Sequence, residues 1–313
     1  MQEKPTASSS IASEAALGAA AAGIGYVLWG LSVIYYRQLE HVVPLEILAH
    51  RAVWSLLLVA VCILAFGRRA QLMAVLRDHR AMAILAVTAT IIGSNWLVFI
   101  WAVNSGRILE TSLGYFINPL MSVLAGVLLL GERLSRPQMV AMALAVAAVL
   151  YFTFALGFVP WISLFLAVSF AGYGYLKKIV RAEALEGLFV EVVILAPFGI
   201  LWLLWMSAHG GSVFGAGDLY TDILLVLTGP MTTIPLLLFT YGAQRIRLTT
   251  LGLMQYLVPT TSFLIAVFIY GEPFGLGQLV TFALIWVALG IFSADTWRRE
   301  RELRRLAALA NRG

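Results

Sequence analysis

Charge is the scarcest feature of this chain: 12% of its 313 residues are Asp, Glu, Lys or Arg, while 61% are hydrophobic and the mean hydropathy is +0.91. So few charges cannot cover the surface of a soluble domain of that length. The composition excludes a water-soluble globular protein and asks for lipid as the solvent of most of the chain. Cysteine is nearly absent too. Cys62 stands alone inside an apolar run, which excludes an internal disulfide framework. No GxxxxGK[ST], HExxH or GxSxG string occurs, so ATP hydrolysis by this chain, and zinc-protease or serine-hydrolase chemistry of those types, are not expected. The histidines at 41, 50, 79 and 209 have no ligand spacing. Neither a metal nor a cofactor is expected, and the chain does not read as an enzyme.

What is present is a succession of apolar stretches, each close to the roughly 20 residues that cross about 30 Å of hydrocarbon. Ten are read, at 15–36, 44–66, 80–103, 109–130, 138–154, 158–176, 187–206, 220–243, 249–270 and 276–296. The expectation is an all-α integral membrane protein of ten transmembrane helices, with a polar tail at 1–14 and a basic tail at 297–313. The first stretch has no basic region before it and is followed by nine more, so it is read as retained rather than as a signal peptide. Cations fall in alternate loops: 18 of the 21 share one side, Arg37 and Arg107 lie on the other, and Arg51 lies inside the second stretch. The positive-inside rule then places both termini in the cytoplasm. Those loop charges account for the pI of about 9.5, and no nucleic-acid partner is expected. The basic tail reads either as a topology-setting end or as an amphipathic helix on the inner leaflet.

A self-comparison finds an internal repeat. Shifted by 140 residues, 109–152 matches 249–292 without a gap at 13 of 44 positions, among them Pro119 with Pro259, Gly131-Glu132 with Gly271-Glu272, and Gln138 with Gln278. Apolar composition alone does not readily set a Pro, a Gly-Glu pair and a Gln in one register. Five stretches per half is an odd number, so the second half, 158–296, enters the membrane from the face opposite to the first, 15–154. An inverted repeat gives a transporter two related arrangements around one central site.

The strings EILAHRAVWS, GSNWLVFIWAVNSG, LETSLGYFINPLMSVLAGVLLLGERL, IPLLLFTYGAQRIRLTTLGLMQYLVPTTSFLIAVFIYGE and TFALIWVAL resemble the RarD branch of the drug/metabolite transporter superfamily, whose members are built from two EamA domains. The resemblance runs from the first stretch to the last. It implies ten helices in two inverted five-helix EamA repeats, a bacterial inner-membrane location, and movement of small organic solutes, usually outward.

Polar residues inside the apolar stretches are the candidate site, because an intramembrane ion is costly unless it is paired or faces water. Glu46 and His50 share one helix face, and Arg51 points about 100° away from His50. Arg51 needs a partner from another helix, with Asn95, Asn118 and Tyr115 as candidates. Two readings stand: a substrate-cavity cluster, or a structural network fixing helix angles. Asn95, Trp96, Trp101, Tyr115 and Asn118, with Gln255 and Tyr256 at the repeat positions of Tyr115 and Phe116, supply the amides and flat rings that an amino-acid-sized solute needs. Trp96 and Trp101 serve equally as interface anchors. His50, Glu46 and Glu191 are candidate proton carriers, Pro119 and Pro259 candidate hinges, and Glu132 and Glu272 structural caps. The function expected is secondary active export of amino acids or drug-like metabolites by alternating access. The partners expected are the solute, the lipid bilayer and a second copy of the chain in a homodimer. Facilitative or proton-coupled uptake, an intramembrane enzyme and a passive channel are the alternatives.

Overall fold

The structure, a computed structural model, describes residues 7–105, 107–156, 160–271 and 275–310. Among them every regular element is an α-helix. In chain order these are α1 (Ala7–Arg37), α2 (Pro44–Ala65), α3 (Arg69–Arg77), α4 (His79–Asn104), α5 (Ile108–Leu130), α6 (Arg136–Leu156), α7 (Trp161–Ile179), α8 (Ala184–Ala208), α9 (Leu219–Arg245), α10 (Leu248–Met254), α11 (Leu257–Phe268) and α12 (Leu276–Ala310). Among the described residues, eight segments are long and apolar enough to cross a membrane, on α1, α2, α4, α5, α8, α9, the α10–α11 pair and α12. α6 carries a shorter apolar stretch, Arg136–Tyr151, and α7 ends in Lys177 and Lys178. Each stretch marked by hydropathy falls on one of these helices or on the α10–α11 pair. Hydropathy did not mark α3, which buries Val75 and leaves Arg69 and Arg77 exposed. α12 is one continuous helix to Ala310, so the basic tail up to that point prolongs it.

Helix boundaries recur at a fixed interval. α2 and α8 begin at 44 and 184, α4 and α9 at 79 and 219, α5 and α10 at 108 and 248, and α6 and α12 at 136 and 276. Packing follows the same exchange. α2 lies on α8 and α6 on α12, each against its own counterpart, while α1 packs on α9 as α7 packs on α4. At the crossing of α5 with the α10–α11 pair, the Tyr256 hydroxyl donates to the Phe116 carbonyl at 3.1 Å. Those two residues are themselves 140 apart.

The two prolines of the repeat act differently. α5 runs through Pro119 unbroken. Pro259 has no N–H for the Gln255 carbonyl and its ring crowds that group; the chain divides into α10 and α11 at Gln255–Tyr256, and the Val258 N–H takes the Gln255 carbonyl instead at 3.0 Å.

One end of the bundle gathers the cations and is stitched by them; it is called the basic end below. Arg68 donates to Glu186 at 2.7 Å and Glu183 at 2.5 Å. Its hydrogen bond to Glu186, then that to Glu183, holds the Arg68 guanidinium above its already high ordinary pKa. Arg245 pairs with Glu14 at 2.8 Å, Lys178 donates to the carbonyls of Ala243 and Ile246, and Gln244 donates to that of Ala182.

Without a hydrophobic drive between helices, close packing of small residues sets their approach. A Cβ on Gly242 of α9 would stand 2.7 Å from the Cβ of Ala22 and 2.8 Å from the Gly18 carbonyl of α1. Gly242→Leu should therefore force the α1–α9 crossing apart and cost about 1–3 kcal/mol as an overpacked core does, read as a lowered Tm in detergent. Gly172→Ala, where an added Cβ meets nothing within 4 Å, should leave Tm nearly unchanged.

Candidate functional site

The trio that opens α2 divides, because a helix turns about 100° per residue. Glu46 is fully buried. Its Oε1 accepts from the Ser212 hydroxyl at 2.7 Å and from the backbone N–H groups of Val213 and Phe214 at 3.0 and 3.5 Å. It clamps the loop between α8 and α9. His50, on the same face, accepts from the Trp54 indole at 3.0 Å through Nδ1, lies 4.7 Å from the Phe214 ring, and keeps Nε2 without a partner. A cavity of about 350 Å³ opens beside it, lined by His50, Trp54, Leu204, Ser212 and Phe214 among others. Leu204 is 62% exposed, so this cavity gives onto the apolar outer surface of the bundle. Beyond the loop, Asp218 N-caps α9; the hydroxyl of Thr221, aided by the N–H groups of Tyr220 and Thr221, holds its carboxyl below the ordinary value.

Arg51 turns inward. Its Nε donates to Thr232 of α9 at 2.9 Å, and its guanidinium lies 4.6 Å from the Trp96 ring centre on α4 and 5.8 Å from that of Tyr36 on α1. Tyr115 of α5 lies within electrostatic reach of Arg51, with its ring 6.1 Å from that of Phe99. Tyr115 is 43% exposed. Among the described residues no carboxylate lies within ion-pairing distance of Arg51, and its terminal nitrogens have no protein partner. A guanidinium against aromatic faces keeps its fork of donors free for a carboxylate or phosphate.

Of the three partners expected for Arg51, only Tyr115 is near it. Asn95 donates instead to the Leu166 carbonyl at 3.0 Å and the Ser169 hydroxyl at 2.8 Å, joining α4 to α7. Asn118 is buried with Oδ1 unpartnered. Trp101 is exposed and packs on Trp161, with Arg107 over its ring. Gln255 accepts from Ser122 at 3.4 Å, and both it and Tyr256 are buried in the crossing with α5. The candidate residues thus form separate groups, of which Arg51, Trp96 and Tyr115 are one.

Glu132 caps a helix, but not the one that follows it. Its two oxygens accept from the N–H groups of Leu248 and Thr249 at 2.7 and 2.8 Å, the amino end of α10 in the other half. Its repeat counterpart, Glu272, lies outside the described residues.

Sequence reasoning missed Tyr36, Thr232 and, above all, Lys177. The Lys177 ammonium donates to Glu191 Oε1 at 3.0 Å; the same carboxylate accepts from Thr88 at 2.6 Å and from the Tyr173 hydroxyl at 3.1 Å. Both charged side chains are at most 2% exposed. Lys177 had been counted with the loop cations because it adjoins Lys178. The signal that could have found it is spacing: Tyr173 and Lys177 lie one turn apart on the same face of α7.

Glu46→Ala should free residues 212–214. Losing charge-assisted bonds worth about 1.5–3 kcal/mol should speed exchange of the Val213 and Phe214 amides by roughly 10–100-fold, measured by hydrogen–deuterium exchange. Amides around Thr232 should keep their rates.

Comparison with known proteins gives this geometry its setting. The model of the EamA-like transporter family matches residues 16–154. An uncharacterized transporter of Vibrio cholerae is 43% identical over 280 residues, 90% of this chain and 93% of the relative. Protein RarD of Escherichia coli K12 is 42% identical over 276 residues, 88% of this chain and 93% of the relative. One solved crystal structure shares the fold with a TM-score of 0.67 at 18% identity, over 90% of this chain and 98% of that one. Similarity of this extent settles lineage as well as fold, and it agrees with the apolar helices in making the chain a multi-pass protein of the bacterial inner membrane. The chain belongs to the EamA-like transporter family, in its RarD branch.

Proposed function

We propose that this transporter is a secondary active exporter of small organic metabolites, amino acids or drug-like solutes of similar size, working by alternating access. In this reading ten helices form two inverted five-helix repeats, 15–154 and 158–296, with both termini in the cytoplasm. The recurrence of helix starts at an interval of 140 supports the repeat, and inverted repeats supply the two arrangements that alternating access requires.

The observation that carries the substrate reading is Arg51. A half-buried cation with no acid of its own is costly in the hydrocarbon region, and the anionic group of a solute offsets that cost at the free terminal nitrogens. Trp96, Tyr36 and Tyr115 give the remainder of the solute flat walls. α1, α2, α4 and α5 come from the first half, and Thr232 of α9 brings the second half to the same site. Of the candidate proton carriers, we assign coupling to His50, whose Nε2 is free, or to Glu191. Glu46, bound to the loop through Oε1 with Oε2 free, stands with them as a candidate.

Purified protein in liposomes, loaded with each of a panel of amino acids and aromatic carboxylates, tests this by counterflow with and without a pH gradient. Saturable counterflow is expected for at least one member. Arg51→Ala should lower it at least about tenfold, and Arg51→Lys, which keeps the charge but not the planar fork, should fall between. Equal flux in Arg51→Ala and the parent would remove Arg51 from the site. Flux that never saturates would indicate a pore.

A further inference from the structure

Arg51 and Glu191 occupy corresponding places. Each is the eighth residue of its helix, α2 and α8, whose starts are 140 apart. At 1.5 Å per residue each lies about 10 Å from its helix start. α8 begins at the basic end, just after the stitches made by Arg68, and α2 begins at the other end. The two halves treat these matching positions in opposite ways. Glu191 is sealed among Lys177, Tyr173 and Thr88, whereas Arg51 lies against the rings of Trp96 and Tyr36 with no acid beside it.

We propose that Lys177, Glu191, Tyr173 and Thr88 are the gate that closes the basic end of the transport path, and that parting of this group opens that end while the surroundings of Arg51 close. The inference rests on the alternating-access reading above. Three features of the molecule argue for a gate over a static strut. The group joins both halves of the chain, because Thr88 lies on α4 of the first and Lys177, Tyr173 and Glu191 lie on α7 and α8 of the second. A buried ion pair is a poor stabiliser, since desolvation offsets most of its attraction. Yet it is stable when dry and closed, and its ions are stable when apart and hydrated, with only the half-open, unhydrated geometry costly. That makes it bistable, and it ties parting of the pair to entry of water. Finally, the other polar stitches of this end, from Lys178, Gln244 and Arg68, surround the same helices, so the closed state is built there by many contacts at once.

The test is thiol accessibility in a Cys62→Ala background, which needs no substrate. A reporter cysteine replaces Ala243, fully buried on α9 one turn beyond Thr240, and a second replaces the partly exposed Tyr115 of α5. Reaction with a polar maleimide in detergent is timed for each reporter alone. Glu191→Gln or Lys177→Met should raise the rate at 243 by about tenfold or more and lower the rate at 115, as a shift of a two-state population requires. The exchanged pair Lys177→Glu with Glu191→Lys should return both rates toward the parent. Thr88→Val, which removes one hydrogen bond, should move them the same way by a smaller factor and decides the matter if the charge variants do not fold. Rates unchanged in folded variants, or rates rising together at both reporters, would overturn the gate. Either of those outcomes leaves the counterflow reading intact, and a failed counterflow experiment leaves these rates measurable.

Discussion

In hydrocarbon an ion has no solvent but the protein, and the arrangement of this bundle follows from how each buried charge is answered. Glu191 is answered by an ammonium, a phenol and a hydroxyl from α7 and α4. Glu46 is answered by a loop it draws over the end of α2. Glu132 is answered by the free N–H groups at the start of α10. Each answer fixes two or more elements against one another, so the few charges of the chain position helices whose apolar surfaces alone have little to choose between. Arg51 is the exception. Its neighbours are rings and a hydroxyl, and none of them removes its charge.

Close backbone contact does the rest. Gly242 admits Ala22 and the Gly18 carbonyl, and Gly229 admits the backbone of Trp54, at distances where no Cβ fits without displacement. α9 can thereby lie against both α1 and α2, and Thr232 reaches Arg51 as a result. The surroundings of Arg51 depend on glycines of α9 that do not touch it as much as on the side chains beside it.

Much of this was legible in the sequence, since length and apolarity of a helix are local properties. The interval of 140 seen in Pro119 and Pro259 is also the interval between helix starts. Arg51 and Glu191 stood out because an ion in an apolar run is conspicuous. What could not be read was pairing. Which element answers Glu46 depends on how the chain returns after α8, and which helix Glu132 caps depends on the other half of the molecule. Lys177 was overlooked because a rule that counts loop cations cannot tell one that faces water from a neighbour that turns into the bundle. The break at Gln255 required knowing that Pro259, unlike Pro119, gives way at the preceding turn.

The hydrogen bond from Tyr256 to the Phe116 carbonyl joins a residue to its own repeat counterpart. Any motion in which the halves exchange conformations carries each of these residues into the place of the other. Tyrosine has a hydroxyl to donate and phenylalanine has none, so the exchanged arrangement lacks this bond, a difference of about 1 kcal/mol, or roughly fivefold in population. In such an exchange the two arms are unequal: at the crossing of α5 with the α10–α11 pair, the chemistry of one side chain favours the arrangement seen here.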